Sequence, residues 1–213
     1  MTLPLRTDGR RLHSAAPANR PGRIRGIRRA AVCAGALLAG LADAEPRIYR
    51  VDPDHSFVTF EVLHFGTSTL RGRFGGLAGE VRIDPQAGKG YAGITIPVGA
   101  VDSGVKVLDK RLCERDLLAC AEGPQAWFVA ERFRFDGDAV RELRGELTLR
   151  GASQPLTLTA SHFGCYRHPV LQHEVCGGDF EGELLRSDFG ASFGVAFVSD
   201  RVRLKVQVEG VRR

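Results

Sequence analysis

Tyr49–Asp84 reads YRVDPDHSFVTFEVLHFGTSTLRGRFGGLAGEVRID. Val58, Phe60 and Val62 share one parity, with Thr59 and Glu61 on the other. A period of two is that of a half-buried strand. The pattern breaks at Gly66, resumes, breaks at Gly75-Gly76, and resumes through Val81 and Ile83. The expectation is two successive hairpins with one apolar face.

The same alternation recurs downstream. Ile94, Ile96 and Val98 share a parity, as do Leu143, Gly145, Leu147 and Leu149, then Leu156 and Leu158, then Val202, Leu204, Val206 and Val208. Between Trp127 and Phe135 the parity slips: Phe128 and Ala130 oppose Val129, Phe133 and Phe135. Either a bulge or an inward-facing Glu131 would account for it. One segment has helical spacing, 105–119, with Ser103 as its expected N-cap and Gly123-Pro124 as its stop. A regular helix would set Cys113 and Cys120 about 10 Å apart along the axis. A bond between them therefore requires the helix to end near Leu117. A short helix or turn is expected around 187–192. About eight antiparallel strands and one helix insertion read as an all-β closed barrel or sandwich. Three Tyr and one Trp are too few for the aromatic girdles of an outer-membrane barrel, so a soluble barrel is expected.

The formal charge of +5 is misleading. Residues 1–44 hold eight Arg and two acids, leaving 22 basic and 23 acidic side chains in 45–213. Total charge thus gives no support for a nucleic-acid partner. Arg23, Arg25, Arg28 and Arg29 precede the apolar run AAVCAGALLAGL (30–41) and the small-x-small site Ala42-Asp43-Ala44. That is the anatomy of a secretory signal peptide with a long n-region, which places the domain at 45–213. The expected location is periplasmic or secreted.

Four cysteines remain after cleavage: Cys113, Cys120, Cys165 and Cys176. His162, Cys165, His168, His173 and Cys176 could supply zinc ligands. The competing reading is a Cys165–Cys176 disulfide, and export favours it. Gly190-Ala191-Ser192-Phe193-Gly194 matches G-x-S-x-G, but no His follows it and no α/β alternation surrounds it, so it reads as a turn. No paired carboxylates, P-loop or dinucleotide fingerprint occurs; no catalysis, cofactor or metal is expected. His64 shares the parity of Val58, Phe60 and Val62, and could meet a ligand head group at one barrel end.

These residues resemble the YceI-like family of bacterial polyisoprenoid-binding proteins. The resemblance is carried by Tyr49-x-Val51-Asp52-x-x-His55-Ser56-x-Val58-x-Phe60, His64-Phe65-Gly66-x-Ser68, Gly72-Arg73-Phe74, and Gly79 with Ile83-Asp84. Further on come Leu108-Asp109 with Leu112, Pro124 with Phe128, Leu147-Thr148-Leu149-Arg150-Gly151 with Pro155-Leu156, Cys176 to Phe180, and Arg186 to Gly190. Cys113, Leu117-Leu118-Ala119 and Gly123 depart from the family pattern near the helix. The resemblance implies a lipocalin-like barrel of about eight strands holding a long isoprenoid or other long-chain lipid. The expected lining is Val58, Phe60, Val62, His64, Phe74, Ile94, Ile96, Phe128, Phe133, Leu147 and Val206. The expected partner is that lipid, with a homodimer as a further assembly. The alternative is a small periplasmic metal-binding or stress-response protein that uses 162–176.

Overall fold

The computed structural model describes residues 45–213; the signal-peptide reading of 1–44 lies outside them. Eleven strand segments form a single antiparallel sheet that closes on itself. They are β1 Arg47–Val51, β2 Phe57–His64, β3 Ser68–Phe74, β4 Ala78–Asp84, β5 Lys89–Pro97, β6 Val101–Asp102, β7 Gln125–Asp136, β8 Ala139–Leu149, β9 Ala152–Arg167, β10 Glu174–Leu185 and β11 Val198–Arg212. Helix α1, Lys106–Leu112, lies between β6 and β7.

The segments make eight staves. β11 pairs with β10 along one side and with both β1 and β2 along the other. β4 pairs with β1 and β3 with β2, while β5 and β6 pair with β4 and β3 in turn. Each of the pairs β1/β2, β3/β4 and β5/β6 is thus one broken stave. β7 to β10 complete the ring by consecutive antiparallel neighbours. Closure leaves the long strands no free edge.

This topology corrects the hairpin expected at Gly75-Gly76. β2 and β3 do form a hairpin around Gly66. At 75–77, however, the chain bends and continues in the same direction. Gly76 has φ of +68°, and Leu77 is 1% exposed, driven into the interior by the bend. A Cβ on Gly79, at φ +149°, would strike the Gly93 carbonyl of the next stave, so only glycine fits there.

The first stave breaks at 52–56, and Ser56 repairs the ladder. β11 pairs with β2 as far as Gln207 and with β1 from Gly210. In the gap, the Glu209 N–H donates to Ser56 Oγ (3.2 Å), and that hydroxyl donates to the Glu209 carbonyl (3.3 Å). Asp52 N–H donates to the same carbonyl at 2.9 Å. Ser56 is fully buried, so its hydroxyl stands where a strand residue's backbone would otherwise pair.

The parity slip in β7 is a bulge: the register with β8 shifts between Ala130 and Arg132, and Glu131 faces solvent. The helix is shorter than its expected span. It ends at Leu112, the chain turns with Ala119 at φ +49°, and a Cys113–Cys120 disulfide joins Cα atoms 4.9 Å apart. Ser103 is not the N-cap. Val105 holds that position, and Ser103 Oγ instead donates to Asp109 Oδ1 at 2.6 Å. The expected turn at 187–192 begins as a 3-10 helix, Arg186–Phe189.

Replacing Ser56 with Ala removes the side chain that pairs with Glu209 across the β1/β2 break and leaves the half-buried Glu209 N–H unpaired. The expected cost is about 1–3 kcal/mol, read as a lower midpoint in urea at unchanged m-value. An unchanged midpoint would show that the ladder closes without it.

Candidate functional site: an apolar cavity inside the barrel

The apolar parity faces inward. Val58, Phe60, Leu143, Leu147, Leu156, Leu158 and Leu204 are all buried, whereas the outward positions carry ion pairs such as Arg71–Glu61 and Arg201–Glu183. This polarity is the reverse of a membrane-spanning barrel, whose apolar band faces outward. Among the described residues, no helix is long and apolar enough to cross a membrane.

The inward side chains do not fill the barrel. They surround a cavity of about 390 Å³, within the usual range for small-molecule sites. All eleven side chains expected to line it do so: Val58, Phe60, Val62, His64, Phe74, Ile94, Ile96, Phe128, Phe133, Leu147 and Val206. Sequence reasoning missed Leu77, turned inward by the bend at 75–77, and did not carry the shared parity of Ile94 and Ile96 on to Val98 in the lining. It also missed Leu108, Leu112, Leu117 and Leu118, which α1 and its disulfide-braced turn set against the cavity.

Among the described residues, polar side chains lie only at the two ends, and no Asp or Glu lines the cavity. At the α1 end are His64, Arg111 and Arg186. The Arg111 guanidinium makes a two-pronged contact with Asp116, at 2.7 and 2.8 Å, and lies 4.3 Å from the Phe193 ring centre. Hydrogen bonding to Asp116 raises the pKa of Arg111 and lowers that of Asp116, so this pair stays charged.

Arg186 has no carboxylate in its grip. It donates to four backbone carbonyls: Ser199 (3.0 Å), Ala191 (2.6 Å), Phe193 (2.8 Å) and Val198 (2.8 Å). Burial pushes its pKa down, with the nearby Asp200 charge opposing. Val198 and Ser199 sit where the β11–β2 register shifts, which frees their carbonyls. Arg186 therefore fastens the 191–199 segment across this end of the barrel. Its only sequence signal was its place in the R-S-D-F-G motif.

The opposite end is closed differently. Cys165 and Cys176 face each other across β9 and β10 and are joined in a disulfide. That bond takes both thiols out of the zinc reading. Among the described residues, no group of three His, Cys, Asp or Glu is arranged to hold a metal. Tyr49 OH donates to Glu174 Oε1 at 2.6 Å, and Cys176 Sγ lies 3.3 Å from that hydroxyl. Tyr49 and Cys176 both line the cavity.

Burial, then the hydrogen bond to Glu174, push the Tyr49 phenol up from 10.0 to about 12. The folded state therefore holds this proton more tightly than the unfolded chain. The resulting stabilisation is complete below pH 10 and is lost as pH rises from about 10 to about 12. Denaturant titrations across that range should show stability falling more steeply for the native protein than for Tyr49→Phe. Parallel curves would mean that Tyr49 titrates as it does in the unfolded chain.

Residues 49–210 match the YceI-like domain model. A UPF0312 protein of Pseudomonas paraeruginosa is 31% identical over 191 residues, covering 86% of this chain and 97% of its own length. Protein YceI of Escherichia coli O157:H7 is 32% identical over 182 residues, covering 83% and 93%. Among solved structures, Burkholderia cenocepacia BcnA is similar at a TM-score of 0.61 and 23% identity, covering 75% of this chain and 98% of that one. A polyisoprenoid binding domain from Saccharophagus degradans, implicated in plant cell wall breakdown, gives a TM-score of 0.56 at 16% identity, covering 78% and 98%. The two structures share the fold; the family model and the two sequence relatives decide membership. With its closed barrel, its apolar cavity and a match that spans nearly all of the described residues, the chain belongs to the YceI-like domain family.

Proposed function

We propose that this protein binds a polyisoprenoid or similar long-chain lipid inside the barrel and carries it through the periplasm. The observation that carries the reading is the cavity: about 390 Å³, walled by aliphatic and aromatic side chains, with polar groups at its ends only. Such a wall suits a hydrocarbon chain, whose burial gains roughly 0.8 kcal/mol per methylene. The Saccharophagus neighbour, described as a polyisoprenoid binding domain, supports the same ligand class. Two disulfides and an N-terminal apolar run after a cluster of Arg support an exported, oxidised location. The reading assigns the protein no catalytic step.

His64 is the proposed head-group contact. It sits at the end of β2 and is half-buried, with its ring edge-on to Phe65 at 4.7 Å. A neutral imidazole has one donor and one acceptor nitrogen, enough to orient a hydroxyl or a phosphate.

A displacement titration with prenyl alcohols of increasing length, detergent-solubilised and free of vesicles, tests the reading. Affinity should rise with chain length in the native protein. The paired wall positions Val58 and Val206 face each other across β2 and β11. Filling the cavity there with Val58→Phe/Val206→Phe should cost at least about tenfold in affinity, while circular dichroism stays native. His64→Ala should weaken a prenyl phosphate more than squalene. Absence of binding by the native protein, or equal affinity in the filled variant, would overturn the cavity reading. Equal losses for prenyl phosphate and squalene would leave His64 structural.

A further inference from the structure

Large apolar side chains exposed singly need no explanation; a cluster at one end of a cavity does. Phe65 and Phe197 are each 61% exposed and stack at 5.4 Å between ring centres. Their backbones are tied, with Phe65 N–H donating to the Phe197 carbonyl at 2.7 Å. Phe193 and Val195, on the segment that Arg186 fastens, are 56% and 44% exposed. Val107, on α1, is 78% exposed. All of these sit at the end where β2 turns into β3, α1 packs and β10 gives way to β11.

The cluster is continuous with the interior. Phe193 is both exposed and part of the cavity lining, and Phe65 follows directly on His64, which lines it too. The rim is held in place from beneath. Arg186 takes the carbonyls of Ala191, Phe193, Val198 and Ser199, and Arg111 lies against the Phe193 ring. The aromatic rings are thus presented to water by a hydrogen-bonded backbone.

We infer that this aromatic rim docks on the surface of a lipid bilayer, and that the cavity takes up and releases its ligand there. The inference rests on the lipid-carrier reading for what passes through the rim. A bilayer is the partner that the chemistry favours. The rim leads into a cavity without carboxylates, so an apolar chain leaving a membrane would cross it with little exposure to water. Of the charged groups at this end, Arg111 is held by Asp116, Arg186 by carbonyls and Asp200 by Ser187. Docking is therefore driven by apolar insertion, whose strength follows the buried apolar area, and it should depend little on salt.

Co-sedimentation with phosphatidylcholine vesicles, at low and high ionic strength, tests this. Phe65→Asn/Phe197→Ser removes the stacked pair without touching a cavity-lining side chain, and Asn suits the positive φ of 52° at Phe65. The control is Val170→Ser/Leu171→Ser, in the exposed loop between β9 and β10 at the opposite end. The native protein and the control should bind vesicles equally well at both ionic strengths. The rim variant should lose at least roughly tenfold in vesicle partitioning and in the rate of transfer of a fluorescent prenyl probe from vesicles. Its affinity for vesicle-free prenyl alcohol should not change. Three outcomes would overturn the docking: undiminished partitioning of the rim variant, loss of native binding at high salt, or a rim-dependent dimer in size exclusion that does not bind vesicles. Vesicle docking by a native protein that takes up no prenyl alcohol in solution would instead sink the carrier reading and leave the docking standing.

Discussion

Closure of the sheet through β11 is the constraint on which everything else depends. This strand pairs along one side with β10 and along the other with two different segments, β1 and β2. Five residues interrupt that second side, and the hydroxyl of Ser56 carries the hydrogen bonding across the gap. With the ring closed, each strand has an inside and an outside, and its apolar parity has only one place to go. With the ring open, the same side chains would present a continuous greasy sheet to water.

A closed ring of eight staves is just wide enough either to be filled by its own side chains or to hold one small ligand. Here the wall residues leave a cavity rather than interlocking across the axis. The two ends are treated differently. One is sealed near Tyr49, Glu174 and a cross-strand disulfide. The other is built from α1, a disulfide-braced turn and a segment held by one half-buried guanidinium. The hydrogen bonds of Arg186 at that end all run to carbonyls rather than to an acid. Its charge is thereby dispersed into backbone dipoles, while the carboxylates nearby are engaged elsewhere, Asp116 by Arg111 and Asp200 by Ser187.

What the sequence disclosed follows from local period, and what it concealed follows from long-range pairing. The alternation in 58–62 and 202–208 specified strands and one apolar face; every side chain expected to line the interior from that parity lines it. The slip at 128–133 left a bulge and an inward acid open, and the exposed Glu131 resolves it as a bulge. Gly75-Gly76 looks like a hairpin because glycine pairs mark turns and bends alike. Only the pairing of β4 with β1, rather than with β3, reveals a bend. Ser56 and Arg186 carried no local signal of their roles. Their partners, Glu209 and the 191–199 carbonyls, are brought to them by the closed barrel. The boundary of α1 was legible only in part. A bond between Cys113 and Cys120 requires a helix end near Leu117, but the helix stops a full turn earlier, at Leu112.

The central claim is that the interior is a lipid site and not merely an underpacked core. Native mass spectrometry of the protein, purified without detergent, tests it most directly. The account predicts a species heavier than the bare chain by the mass of one long-chain lipid, and loss of that increment on organic extraction. A single species at the mass of the bare chain, unchanged after incubation with prenyl alcohol, would contradict it.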